Sequence, residues 1–284
     1  RGLALDPEWK VISIDARKTV FAAAADHQAT ARIRKASRVF YALEFPGSNQ
    51  EGSLEGVLAL GSPGDSCRVA AVLNALRFPY AALRVLPAES SAEAERIRTR
   101  CYAELALRIY QQSGIPSLVT HFRATSRLRA ELSSITLLPR EREHIRQILD
   151  SLSDRPLDST SERNRLLSEA EAEIRSAIAA GDQPRASQLL SKSGRPPWAA
   201  WYQMVMETQS LSAPAILDRL QELQKETELP ADLRAEILFE SGCIAIEAGD
   251  PVSAVSAFES LLKSEEPHPS KDLAAFYLLN LSGR

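Results

Sequence analysis

The sequence predicts an α/β domain in the N-terminal half of the chain and an all-helical array, an α-solenoid, in the C-terminal half. Three observations predict this division. Strand-type runs alternate with helical apolar stripes as far as residue 121, helical patterns alone follow, and glycines in the second half recur at multiples of 34 residues. We place the domains at 1–153 and 160–284, with the boundary in a polar segment that contains Pro156.

Composition and charge narrow the class of protein. Hydrophobic residues make up 44% of the 284 residues and charged residues 25%, which is typical of a globular protein and excludes a disordered tail. No run of about 18 apolar residues predicts a transmembrane segment. Residues 1–150 carry 21 Lys and Arg against 16 Asp and Glu, whereas residues 151–284 carry 13 against 21. The net charges, +5 for residues 1–150 and −8 for residues 151–284, support two segments with separate surfaces. A net charge of +5 over 150 residues is too small to predict nucleic-acid binding by itself.

The first 60 residues are rich in strand-type runs. Residues 11–15 and 19–23 can pair as a hairpin, and the run 38–45 is stopped by a Pro-Gly pair. The apolar run 56–60 has the length of a buried strand.

Helices and strands then alternate. An apolar face predicts a helix over 67–77, and the runs 82–86 and 117–121 predict strands. Between them Ser90, with Glu93 at the spacing of a capping box, predicts the start of a long helix. The apolar face of this helix repeats every four residues down to Ile109, and Gly114 predicts its end.

Residues 122–153 are predicted to be helical, in two segments divided at Pro139, and helices and turns in a repeat are predicted after about residue 160. Gly181, Gly249 and Gly283 lie 68 and 34 residues apart. An alanine follows each Gly-Asp pair five residues after the glycine, and a bulky apolar residue follows nine after it. The glycine suits the left-handed residue that ends a helix, and the alanine lets the next helix cross closely. We expect helical hairpins at about 167–192, 198–226 and 235–264.

This period and these residue types resemble the tetratricopeptide repeat family. The best copy covers residues 235–268 and carries Leu238, Gly242, Ala245, Gly249, Ala254, Phe258 and Pro267. The copy at 167–200 is weaker, the copy at 201–234 has lost its glycine, and residues 269–284 look like the first helix of another. The resemblance covers about 120 residues and implies stacked hairpins whose first helices line a groove. Such an array is expected to continue or to dock beyond residue 284.

The resemblance also implies a protein-binding surface. In the best copy the residues expected to face the groove are Glu236, Phe239, Cys243 and Ile246. An apolar row with an acidic end suits a partner helix or an extended segment that carries basic residues. The opposite expectation is that these side chains are covered by residues 269–284 or by the N-terminal domain.

One segment has the composition of an anion-binding loop. Residues 61–66 lie between a predicted strand and a helix, and Ser62, Gly64, Asp65 and Ser66 are the candidate contacts. The segment is distantly similar to the loop of ATP-pyrophosphatases, but Pro63 replaces a glycine and one residue is missing. The alternative is an ordinary strand-to-helix turn with a serine cap.

No other pattern predicts chemistry. Cys67, Cys101 and Cys243 have no CxxC spacing and are expected to be buried free thiols, and the four histidines predict no metal site. The Arg-rich segments 31–38 and 123–129 lack interleaved aromatic residues, so we expect a solvated face or docking onto the acidic half.

These observations favour a non-enzymatic adaptor or scaffold, a subunit of a larger complex that binds protein partners and needs no cofactor. The alternatives are a nucleotide- or phosphate-binding enzyme that uses loop 61–66 under regulation by the helical repeats, and a nucleic-acid-associated factor. The compartment stays open. Unpaired cysteines favour the cytoplasm, whereas Arg1 would favour an extracytoplasmic location if it marks a processing site.

Overall fold

In the computed structural model the described residues are 9–14, 19–23, 25, 30–46, 63–87, 91–114, 116–133, 137–153, 169–194, 196–226, 229–266 and 268–282. Within them the chain is mostly helical. The elements before residue 154 are β1 (Trp9–Ile14), β2 (Thr19–Ala23), α1 (Thr30–Glu44), α2 (Pro63–Ala75), α3 (Pro79–Val85), α4 (Ala92–Ser113), α5 (Leu118–Leu132) and α6 (Pro139–Ser153). Those after it are α7 (Glu169–Ala179), α8 (Gln183–Lys192), α9 (Ala199–Glu207), α10 (Ala213–Leu223), α11 (Ala231–Ala248), α12 (Pro251–Lys263) and α13 (Lys271–Leu281).

The described part of the N-terminal half does not form the predicted α/β layer. The predicted hairpin is confirmed: β1 and β2 pair antiparallel, with Trp9 opposite Ala23. The strands predicted at 38–45, 82–86 and 117–121 are wrong, because residues 38–44, 82–85 and 118–121 lie in α1, α3 and α5. Phe45 and Leu86 directly follow their helices, and Ser117 directly precedes α5. The strand predicted at 56–60 and the domain boundary lie outside the described residues.

Helical periodicity and caps explain the three corrections. On α1, Ala36, Val39 and Phe40 are buried at the i, i+3, i+4 spacing of one helical face. Pro79 occupies the first turn of α3, where its missing N–H has no cost. Ser117 precedes α5, and its Oγ accepts a hydrogen bond from the Thr120 N–H at 3.2 Å. Aromatic and β-branched residues are compatible with a helix whose start is capped in this way.

The three helical hairpins expected after residue 165 are confirmed as α7–α8, α9–α10 and α11–α12, followed by α13. Their order of packing follows the chain, since α10 packs on α11, α11 on α12 and α12 on α13. The first helices α7 and α9 pack on α5, while α11 contacts α3 and α13 contacts α4. The N-terminal helices therefore lie against the first helices of the array, and one apolar cluster joins residues of both halves, from Tyr102 and Phe122 to Trp201.

The Gly-Asp pairs explain why the hairpins turn where they do. Gly249 has a left-handed φ of 76°, as expected, its N–H donates to the Ile246 carbonyl at 3.2 Å, and the Asp250 N–H donates to Ala245 at 2.9 Å. Asp250 then caps α12, because its Oδ1 accepts from the Ser253 N–H at 3.0 Å. One dipeptide thus ends a helix and starts the next.

Two glycines also allow helices to approach closely. A Cβ on Gly242 would lie 2.3 Å from the buried Phe258 ring, so a larger residue on α11 would have to displace this ring of α12. A Cβ on Gly181 would lie 2.8 Å from the backbone nitrogen of Ser126, so the turn between α7 and α8 rests directly on α5.

Gly181 and Gly194 form a matched pair for testing this contact. Their φ values are 70° and 74°, but a Cβ on Gly194 meets no atom within 4 Å. Gly194→Ala should cost about 1 kcal/mol of unfolding free energy through backbone strain. Gly181→Ala should cost about 1–3 kcal/mol more, because the α5 backbone must move. Urea denaturation of both variants measures the difference, and equal losses would contradict a close contact between the array and α5.

Candidate partner-binding site

The four residues expected to line an open groove are buried. Glu236, Phe239, Cys243 and Ile246 lie on α11 and are 4%, 2%, 1% and 0% exposed. The ring of Phe239 lies 6.2 Å from that of Phe258 and 6.3 Å from that of His268, centroid to centroid. These four residues therefore do not form an accessible groove in this structure, which corrects that expectation in favour of the alternative that the chain itself covers them.

An ion pair between α5 and α11 closes one end of this face. Arg123 Nη1 donates to Glu247 Oε2 at 2.7 Å, and Tyr102 donates to Glu247 Oε1 at 2.8 Å. The Arg123 guanidinium lies 4.1 Å from the Tyr102 ring centroid, and its side chain is 3% exposed. Because a guanidinium stays charged, burying it requires the carboxylate and the aromatic face beside it.

A buried carboxyl group occupies the middle of the face. Glu240 is fully buried, and its Oε2 accepts from the Ser117 hydroxyl at 2.8 Å. Its Oε1 accepts from the Val119 N–H at 3.3 Å, so α11 supplies an acceptor at the N-terminus of α5. Burial, reinforced by the charge of Glu236, raises the pKa of Glu240 to about 8. The side chain is therefore largely a neutral carboxylic acid at pH 7.

The other end of the face is closed within the array. Arg175 of α7 donates to Glu236 Oε2 at 3.0 Å, and both side chains are buried. Tyr202 of α9 donates to Glu171 Oε1 of α7 at 2.9 Å. These contacts join the first helices of the three hairpins, so the polar groups of α11 serve the fold.

The Arg-rich segment 123–129 docks onto the C-terminal half, which confirms one of the two expectations for it. Besides Arg123, the guanidinium of Arg127 donates to the Gln209 carbonyl at 3.1 Å, and Arg129 Nε donates to the Ala180 carbonyl at 2.5 Å. Arg32, Arg34 and Arg38 of α1 are exposed, as expected for a solvated face.

Arg127 also lines a surface cleft of about 610 Å³ between α4, α5 and the turn at Gln209 and Ser210. Its guanidinium is paired there with Glu95 at 2.5 Å, while Glu131 pairs with Arg100 at 3.0 Å. The charged groups of Arg127, Glu95 and Glu131 in this cleft are therefore already paired within the chain.

The candidate anion loop is rearranged relative to the expectation. Gly64, Asp65 and Ser66 lie in the first turn of α2, which begins at Pro63, and Ser62 lies outside the described residues. The Asp65 carboxylate occupies the positive end of this helix, where it opposes the approach of a phosphate. Residues 64–66 therefore form the first turn of a helix and do not form a glycine-rich loop that could surround a phosphate.

The cysteines are buried free thiols, as expected. Burial raises the pKa values of Cys67, Cys101 and Cys243, which lowers the fraction of reactive thiolate.

The described residues hold no group of three or more His, Cys, Asp or Glu side chains placed to bind a metal ion. In the same part of the chain, no helix combines the length and the hydropathy that crossing a bilayer requires.

Two large apolar side chains are exposed on α13, a helix that the sequence analysis did not single out as a candidate site. The side chains of Phe276 and Leu279 are 46% and 56% exposed, whereas the residues 34 positions earlier on α11 are buried. Counting back 34 residues gives Gly242 and Ala245, both buried on α11. The sequence already shows this difference, since Phe276 and Leu279 stand 34 positions after two small residues of α11.

Comparisons with protein families, with curated proteins and with solved structures found no match for this chain.

The pKa of Glu240 predicts how stability varies with pH. The folded pKa of about 8 exceeds the ordinary value of 4.5, so the folded state binds more protons than the unfolded state between these values. The contribution of this group is complete below about pH 4.5 and is lost as the pH rises through 8. Relative to Glu240→Gln, the wild type should lose on the order of 3 kcal/mol of unfolding free energy between pH 5 and 8.

Chemical denaturation at several pH values measures this difference. Glu222→Gln is the matched control, because the Glu222 side chain is 67% exposed on α10. A difference between wild type and Glu240→Gln that does not change with pH would contradict the buried, neutral carboxyl group.

Proposed function

We propose that this protein is a non-enzymatic adaptor: a helical array of the tetratricopeptide type that binds a protein partner within a larger complex. The helical hairpins, their left-handed glycines and the close crossing at Gly242 support the assignment to this type of array. The observation that carries the proposal is the packing of the helical hairpins in chain order, because arrays of stacked helical hairpins present extended surfaces that bind other proteins.

The fate of the candidate chemical groups supports an adaptor over an enzyme. The thiols are buried, the acids of α11 accept hydrogen bonds from neighbouring helices, and Asp65 and Ser66 lie inside a helical turn. A catalytic group must be accessible to its substrate and within hydrogen-bonding reach of the reacting atoms. The polar groups of α11 instead fix how the two halves pack, as expected of a rigid support for a partner.

The adaptor function is tested first by purifying the intact chain from its native source under mild conditions. Size-exclusion chromatography should show it in a stable assembly with another protein, at a fixed stoichiometry. A chain that elutes alone as a monomer would contradict the proposal.

A nucleotide test separates the adaptor from the enzyme. We expect ATP with Mg²⁺ to leave the melting temperature unchanged, because the start of α2 offers an acidic side chain rather than an anion site. A nucleotide present at 100 times its dissociation constant would instead add about 2.7 kcal/mol of stability. A melting shift of that size that Asp65→Ala and Ser66→Ala abolish would replace the adaptor with a nucleotide-binding enzyme.

A further inference from the structure

The exposed charges of α1 are all positive. Arg34 and Arg38 are one helical turn apart, Lys35 lies beside them on the same side of the helix, and all three are exposed. Arg32 is exposed near the start of the helix and extends this surface. We call these four residues the basic side of α1. No acidic residue lies among them, because the only acid of α1 is Glu44 at its carboxyl end.

The opposite side of α1 holds the helix in place. Ala36 and Val39 have no exposed surface, and Phe40 is buried with them in the apolar cluster that includes Cys67 of α2. Glu44 is also buried, and its carboxylate accepts hydrogen bonds from α3 at 2.9 Å and from α4 at 2.8 Å. The fold therefore fixes α1 with its basic side outward.

The two Arg-rich segments of the chain differ in what surrounds their charges. In residues 123–129 the guanidinium groups of Arg123, Arg127 and Arg129 donate to carboxylates and carbonyls of the same chain. The basic side of α1 is exposed to solvent instead. Like charges on one side of a helix repel one another and attract anions.

We propose that the basic side of α1 binds the phosphate backbone of double-stranded DNA without reading the base sequence. This inference goes beyond the adaptor function proposed above and does not depend on it. Charge complementarity carries it, because Arg and Lys neutralise phosphates and release counterions, which supplies the affinity of sequence-independent DNA binding. Arg34 and Arg38 are about 6 Å apart along the helix axis, so their guanidinium groups can reach neighbouring phosphates of one strand.

The basic side of α1 offers charge without apolar surface, which favours DNA over two other anionic partners. A helix that binds a membrane surface inserts a free apolar face, whereas the apolar side of α1 is buried in the fold. An acidic protein binds through an interface with an apolar core. The exposed residues beside the basic groups are Ala31 and Ser37, which provide no such core.

The aromatic residues of α1 favour a duplex over a single strand, because single strands stack their bases on exposed aromatic rings. Phe40 is buried, and Tyr41 is half-buried with its ring centroid 5.0 Å from that of Phe45. DNA is favoured over double-stranded RNA, because the wide major groove of B-form DNA admits the side of a helix between its phosphates. The major groove of A-form RNA is too narrow.

Fluorescence anisotropy with the intact chain and a labelled DNA duplex of about 20 base pairs tests this inference. We expect two duplexes of different sequence to bind with equal affinity. The logarithm of the association constant should fall with the logarithm of the salt concentration with a slope of about −3, one phosphate for each arginine of the basic side.

A double variant and a matched control locate the contact. Arg34→Gln with Arg38→Gln should weaken binding about tenfold or more at low salt and reduce the salt slope by about 2. Arg140→Gln with Arg146→Gln makes the same change of charge at two exposed positions of α6 and should leave binding unchanged. Both double variants should keep the melting temperature of the wild type, because all four positions are exposed.

Several results would overturn the inference. They are no salt-dependent binding by the wild type, equal losses in the α1 and α6 variants, or a melting temperature lowered by several degrees in the α1 variant. Tighter binding to a single strand, to an RNA duplex or to vesicles that contain phosphatidylserine would also overturn it. A stable protein complex that binds no DNA overturns this inference alone. A chain that binds DNA as predicted but elutes alone from its native source overturns the adaptor function alone.

Discussion

The buried contact of Arg123 with Glu247 and Tyr102 is the constraint on which the rest of the structure depends. Removing a guanidinium and a carboxylate from water costs several kcal/mol, and only a close, hydrogen-bonded pairing offsets it. The 2.7 Å contact therefore fixes the position of α5 on α11 within a narrow range. With α5 in this position, Ser117 reaches Glu240, and the α5 backbone meets the turn at Gly181.

This constraint determines which surfaces are left for function. The N-terminal helices lie on the side of the array where a groove was expected, and the acidic residues of α11 serve as their hydrogen-bond acceptors. The opposite charges of the two halves, +5 and −8, thus partly act inside the molecule. Among the described residues, the large apolar side chains that stay exposed are Leu138, Val252, Phe276 and Leu279. The adaptor that we propose would therefore bind its partner on an outer surface of the packed helices rather than in the groove expected on α11.

The sequence predicted the C-terminal helices well because their signals are local. Gly249 and Asp250 specify a helix end and a helix start through their own backbone and side chains, and Gly181 and Asp182 give the same signal 68 residues earlier. The N-terminal half was predicted less well because aromatic and β-branched runs such as 38–45 fit both strand and helix, and their burial against other helices decides between the two.

The residues expected to line the groove show a further limit of prediction from sequence. Glu236 and Phe239 have the periodicity of any buried helical face, and the sequence does not state whether a partner or the chain itself covers that face.

A double-mutant cycle on Arg123 and Glu247 tests the central claim most directly. The free energy of unfolding is measured for the wild type, Arg123→Met, Glu247→Gln and the double variant. If the pair locks α5 onto α11, each single variant loses about 3–5 kcal/mol because it leaves the other group buried without its partner. The double variant then loses at least about 2 kcal/mol less than the sum of the two. Losses that add within about 0.5 kcal/mol would show that the two groups act independently, and would contradict the account of how the two halves are held together.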